Sequence, residues 1–181
     1  ATSDTDAYLL AQTIPYLLFA TVSYALTTTF IPVYSHVREQ SGKEAGFRFA
    51  STVMWIVLSV AFVLVIAGEA LAKQLVAVVA PGLRGDVADL TAYLSRIIFP
   101  MMIFQLLSGV VTGILNADGE FGVPTAASLV QNISIIVSTI AFGPRYGIGA
   151  VAVGTLVGAM LSFTLQLPAL NRTGFIWRAA V

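Results

Sequence analysis

Residues 109–124 read GVVTGILNADGEFGVP, and the order of residue types in that stretch decides the fold. An apolar run ends, the polar turn NADGEFG (116–122) follows, and a second apolar run opens at Pro124. On either side lies a segment of about 20 residues with almost no charge, enough to cross a bilayer as a helix. Two such segments joined by so short a turn form a transmembrane hairpin. The bilayer core offers the backbone no water, so only a segment that satisfies its own hydrogen bonds crosses it. The same format recurs along the chain, and the sequence predicts an all-α polytopic membrane bundle of about five transmembrane helices.

Composition points the same way. Of 181 residues, 57% are hydrophobic and 10% charged, with mean hydropathy +0.90; a soluble domain carries roughly 25% charge. A formal net charge of zero provides no basic face for nucleic acid. The chain has no cysteine, which excludes disulfides and thiolate metal sites, and its one histidine, His36, cannot form a multi-histidine metal centre alone. There is no nucleotide-binding glycine loop, HExxH or G-x-S-x-G. The carboxylates Asp4, Asp6, Asp118 and Glu120 lie at turns and read as solvated caps. The expectation is therefore a non-enzymatic bundle without catalytic residues, metal or cofactor, and transport is the function class left.

Working outward, helices are expected over about 4–34, 48–79, 87–115, 124–142 and 148–170. Residues 7–34 carry no charge and would make about 42 Å of helix, longer than a ~30 Å hydrocarbon core. A kink at Ile14–Pro15 would take up the excess, with Pro32 marking the interfacial end. Thr13, Thr21, Ser23, Thr27, Thr28 and Thr29 give this helix a polar side, which either bonds back to its own backbone or lines a solvated cavity. SHVREQSGKEAGFR (35–48) reads as a polar turn. In the second span Glu69 and Lys73 stand four apart, in the favourable order for a helix pair, and APG (80–82) stops the helix. Asp86 is expected to cap the third helix, which would run on through Arg96 and Pro100. Arg96 either snorkels to the interface or meets an anion in a cavity. Gln131 and Asn132 sit in mid-span, where amides face other helices or water. GPRYG (143–147) reads as a short turn, and Trp177 as an interfacial anchor. Gly109-x-x-x-Gly113 and Gly154-x-x-x-Gly158 place small residues on one helical face and imply close helix packing.

The basic residues give an orientation. Arg38, Lys43, Arg48, Arg172 and Arg178 lie in polar segments on one side. Arg84 and Arg145 lie opposite, with Lys73 and Arg96 near that interface. This puts 35–48, 116–122 and the C-terminal end in the cytoplasm and the N-terminal ATSDTDA outside. A first span entering from outside implies an element upstream, so the chain is expected to be part of a longer protein.

Five stretches carry a family resemblance: DTDAYLLAQTIPYLL (4–18), TTTFIPVYS (27–35), APG (80–82), FPMMIFQLLSGVVTGILNADGEFGVPTAASLVQNISII (99–136) and GIGAVAVGTLVGAMLSFTLQLPALNRTG (147–174). Together they closely resemble the amino-terminal part of the MurJ/MviN family, bacterial flippases for the lipid-linked peptidoglycan precursor in the multidrug/oligosaccharidyl-lipid/polysaccharide exporter superfamily. The ILNAxGxFxxP turn and the G-x-x-A-x-A-x-G-T-x-x-G run ending QLPxLxxxG are its most specific parts. The diagnostic positions here are Pro15, Pro32, Asn116, Gly119, Phe121, Pro124, Gly154 and Gly158, with a structural role.

The resemblance implies a two-lobed exporter around a central cavity, of which residues 1–181 form part of the amino-terminal lobe; the first helix and second lobe have no counterpart here. It implies location in the bacterial cytoplasmic (inner) membrane. The implied partners are membrane lipids, the remaining helices, and a polyprenyl-diphosphate-linked disaccharide-peptide carried across by alternating access. Asp6 matches the family's acidic TDAF-like position. The arginine pair that some members carry would fall near Phe19–Ala20 and is absent, so the resemblance implies an anion contact from the first helix, the second lobe or Arg96; the cavity candidates in this chain are Asp6, Arg96, Gln131 and Asn132. A related transporter exporting another polyprenyl-linked glycan, or a small amphipathic or cationic solute, is the alternative.

Overall fold

The computed structural model describes residues 3–83 and 85–177; Arg84 and Arg178, two of the charges counted for orientation, lie outside the described residues. Within them the chain is helical: α1 (Ser3–Ala25), a π-helical turn (Leu26–Phe30), α2 (Ile31–Ser41), α3 (Lys43–Val79), α4 (Asp86–Ile98), α5 (Met101–Ala117), α6 (Gly122–Tyr146) and α7 (Ile148–Arg172). These make five stretches long and apolar enough to cross a membrane, with α1 to α2 as one and α4 with α5 as another. The all-α membrane bundle is as expected.

The element ends differ from the sequence reading in instructive ways. The first span does not stop at Pro32. Helix continues through SHVREQS to Ser41 and breaks only at Gly42, whose φ of +87° suits a residue without a side chain. α3 starts at Lys43, so most of the supposed turn 35–48 is helix. Likewise GPRY continues α6, and the break falls on Gly147 alone, at φ +59°. Hydropathy marks where the bilayer ends, whereas a helix ends where its backbone must turn.

The first span stays α-helical through Pro15 and departs from α geometry at Leu26–Phe30. Pro32 has no amide to donate to Thr28 and its ring crowds that carbonyl; a wider π turn immediately before it relieves the conflict. The Thr28 hydroxyl donates to the Tyr24 carbonyl at 2.8 Å. Thr13 and Thr21 bond back to Leu9 and Leu17 in the same way, which favours the back-bonded reading of these hydroxyls.

The third span is also interrupted. α4 ends at Ile98, Phe99 and Pro100 form a turn, and α5 starts at Met101. Phe99 is fully buried against Gly68 of α3, where an added Cβ would overlap its ring. The glycine is thus the socket for the aromatic at the proline break. Gly85, not Asp86, is the N-cap of α4; Asp86 and Asp89 occupy its first turn. Lys73 does not pair with Glu69 on its own helix. Its ammonium reaches Asp89 of α4 at 2.8 Å, where the carboxylate also sits favourably at a helix N-terminus.

α5 packs between α3 and α7, α1 lies on α4, and among the described residues α6 makes its substantial contacts with α7. The packing follows from small residues. A Cβ on Gly154 would lie 2.6 Å from the Ser138 side chain, and one on Gly158 would lie 2.9 Å from the Gln131 carbonyl. That close approach is what α7 gains from its Gly-x-x-x-Gly face, because lipid gives helices little hydrophobic reason to associate. In the α5 pair only Gly113 is so used, against Phe30 and Ile31; Gly109 faces open space. Trp177 meets Trp55 edge-on with ring centroids 5.8 Å apart, both part-exposed as interfacial aromatics are.

Candidate functional site

The four sequence-derived cavity candidates do not converge. Asp6 is exposed near the start of α1. Arg96 is exposed on α4, and its Nε donates to the Glu69 carbonyl at 3.3 Å, holding the guanidinium against α3. Asn132 is exposed on α6 and turns its amide back onto the Ser128 carbonyl at 3.0 Å. Gln131 is half-buried at the α6–α7 seam beside Gly158. None of the four is bonded to another.

Two polar assemblies are brought together instead. The first is a seam between α5 and α7. Gln166 is fully buried; its Oε1 accepts from the Thr112 hydroxyl at 2.9 Å, and its Nε2 donates to Ser108 Oγ and to the Ser162 carbonyl. Every polar atom of the amide is engaged, as an apolar surround requires. Smaller links of the same kind join Tyr8 of α1 to Thr155 of α7 at 2.8 Å, and Ser138 of α6 to the Ala150 carbonyl of α7 at 2.7 Å.

The second is a charged clasp at one end of the bundle. Arg38, in the last turn of α2, donates Nη1 to the Ala117 carbonyl at 2.7 Å and Nη2 to the Asp118 carboxylate. Lys43, at the start of α3, lies 3.6 Å from the same carboxylate oxygen and donates to the Thr173 carbonyl beyond α7 at 3.4 Å. Three chain connections are therefore tied at one acid. Asp118 is 12% exposed and Arg38 22%, so the pair is drawn well out of water. Asp118 Oδ2 and the Tyr34 hydroxyl are buried without a partner. A cavity of about 300 Å³ opens beside the clasp, lined by Lys43, Asp118, Glu120, Arg172 and Thr173 among others.

The family-motif turn builds the acid's position. Gly119 has φ +81°, its amide donating to Asn116 and the Glu120 amide to Leu115, which closes α5. Glu120 Oε1 then accepts from the Gly122 and Val123 amides at 3.1 and 3.2 Å and caps α6. Phe121 is exposed and Pro124 sits half-buried in the first turn of α6. Pro15 is buried inside α1.

The clasp and the Gln166 seam were both missed in the sequence. Asp118 read as a solvated cap, although the topology had put its turn and Arg38 on the same side with opposite charges. Gln166 lay within the quoted QLPAL pattern and, as an amide in an uncharged span, carried the same signal as Gln131.

Comparison with known proteins completes the picture. The family described as Lipid II flippase MurJ matches residues 1–181. The Lipid II flippase MurJ of Burkholderia cenocepacia is 29% identical over 181 residues, covering 97% of this chain and 35% of the relative. The Lipid II flippase MurJ of Thermosipho africanus is 29% identical over 159 residues, covering 87% of this chain and 32% of the relative. A solved structure titled Lipid II flippase MurJ, inward closed conformation, is similar with a TM-score of 0.80 at 26% identity, over 95% of this chain and 36% of that one. The chain thus spans about a third of the length of these relatives.

Proposed function

The chain belongs to the MurJ lipid II flippase family, and from that premise we propose that it forms part of the amino-terminal lobe of a transporter that moves the undecaprenyl-diphosphate-linked peptidoglycan precursor from the cytoplasmic to the outer leaflet. The chain is a multi-pass inner-membrane protein. The observation that carries the proposal is the family match over all of residues 1–181, on a five-span fold like that of the inward-closed flippase.

The physical task is to bring a charged, sugar-bearing head past hydrocarbon, where an unsolvated charge costs many kcal/mol. The lobe's share in that task is to stay one body while the cavity it helps to wall changes its opening. The Gln166 seam and the Arg38–Asp118 clasp support that reading because each binds spans distant in sequence, and the Gly154/Gly158 contact holds the neighbouring helices α6 and α7 together. Alternating access then follows from rocking of this lobe against its counterpart. In this reading the clasp lies at the cytoplasmic end, the start of α1 lies outside, and Asp6, Arg96, Gln131 and Asn132 are cavity candidates. Arg96 has guanidinium donors left over after its single bond to Glu69 and is the candidate anion contact.

Depletion of the full-length protein in its host tests this. The lipid-linked precursor should accumulate in the inner leaflet while wall synthesis stops. Unchanged leaflet distribution with normal wall synthesis would overturn the proposal in favour of a related exporter.

A further inference from the structure

α4 and α6 stand apart over α7, and the cleft between them forms an apolar cavity of about 470 Å³. Its walls include Tyr93 and Ile97 of α4, Phe142 and Tyr146 of α6, and Gly149 and Val153 of α7. All three helices have an end here: α4 starts at Asp86, α6 finishes at Tyr146 and α7 starts at Ile148. The cleft thus opens at one face of the membrane. Ile97 lies about 16 Å along α4 from Asp86 at ~1.5 Å per residue, roughly half of a ~30 Å hydrocarbon core. Its lining on α4 runs from Leu90 to Ile97, about 10 Å at ~1.5 Å per residue, so the cleft ends within one leaflet. A transmembrane helix would need a groove through the whole bilayer, whereas a single acyl chain needs this depth.

The rim has the chemistry of a phospholipid head. Tyr93 and Tyr146, both more than half exposed, stand at the mouth. The turn of α6 that supplies Phe142 and Tyr146 also carries Arg145, which is exposed and has no ion-pair partner among the described residues. α7 begins beside it with no side-chain cap on its first amides. A guanidinium next to free helix N-terminal amides favours a phosphate. We propose that this cleft is a binding site for one phospholipid, with an acyl chain laid between α4 and α6 and its phosphate held at Arg145 and the start of α7.

Gly149 gives a direct test, because a Cβ there meets nothing within 4 Å and a larger side chain projects into the cleft. Full-length protein would be extracted from vesicles of phosphatidylglycerol and phosphatidylethanolamine, and retained phospholipid counted by native mass spectrometry after a delipidating wash. The parent should retain one phospholipid that Gly149→Leu and Val153→Phe lose and that Arg145→Gln holds more weakly, with melting temperatures unchanged. Arg145 is on the surface, so that variant reads out even if a cleft variant fails to fold. Equal retention by parent and variants, or none by the parent, would overturn the proposal. So would displacement of the phospholipid by added polyprenyl phosphate, which would assign the cleft to the isoprenoid chain. A lowered melting temperature in Gly149→Leu with unchanged lipid would assign it to another segment of the protein.

Discussion

The clasp makes a quantitative prediction. Arg38 and Asp118 are 22% and 12% exposed and share a charge-assisted bond, while Arg38 also satisfies the Ala117 carbonyl. Arg38→Ala strands a carboxylate that already has one unpartnered oxygen, with only Lys43 at 3.6 Å to neutralise it. Stranding one partner of a fully buried pair costs ~3–5 kcal/mol, and the residual exposure here lowers that to about 2–3 kcal/mol. Asp118→Ala should cost less, about 1–2 kcal/mol, because it leaves two cations that can turn to water. The double variant should recover part of the loss, giving a coupling of about 1–2 kcal/mol between the two positions. The assay is a double-mutant cycle on the full-length protein in bicelles, by reversible unfolding. The same cycle on Lys73 and Asp89, whose side chains are 66% and 69% exposed, is the built-in control and should show no measurable coupling. Equal coupling in the two cycles, or none at Arg38–Asp118, would refute the claim that burial makes the clasp structural.

Other positions give sharper yes-or-no outcomes. Gly158→Val should push α6 from α7 at a cost of about 1–3 kcal/mol in the same unfolding assay, the usual price of overpacking, while Gly109→Ala should be neutral because its face is open. Gln166→Leu should cost about 1–2 kcal/mol by leaving Ser108 and Thr112 to find other partners; an unchanged stability would remove the seam from the account. Deleting Thr28 should turn the π turn into an α turn and keep both docked faces in register, so a monodisperse protein is expected by size-exclusion chromatography. Deleting Val37 should rotate Arg38 away from Asp118 and give aggregate.

The bundle was legible because apolar runs of spanning length admit few other structures in a bilayer. Val79, Leu115 and Leu170 were expected ends and the helices stop within two residues of each. The polar stretches SHVREQS and GPRY were misread because hydropathy reports the lipid boundary, and both continue as helix until a glycine with positive φ. The irregular turn before Pro32 and the break at Pro100 needed a choice among several prolines. Pro15 sits inside an unbroken α1, while Pro100 follows Phe99, which is anchored in the Gly68 socket at the break between α4 and α5. Gly154 and Gly158, spaced to share one helical face, meet Ser138 and Gln131 of α6. Arg38 and Asp118 lie 80 residues apart, and no local pattern announces such a pair. The cavity candidates stayed separate because the sequence orders charges along helices but does not say which faces share water.

The central proposal is that these helices belong to a machine that carries a lipid-linked sugar diphosphate across the bilayer. The most direct measurement places purified full-length protein in vesicles with lipid II confined to one leaflet and follows its appearance in the other by an impermeant reagent. The account predicts exchange above that of protein-free vesicles, lost in Arg96→Ala with the fold intact. Exchange no faster than in protein-free vesicles, from protein shown to be folded and inserted, would contradict it.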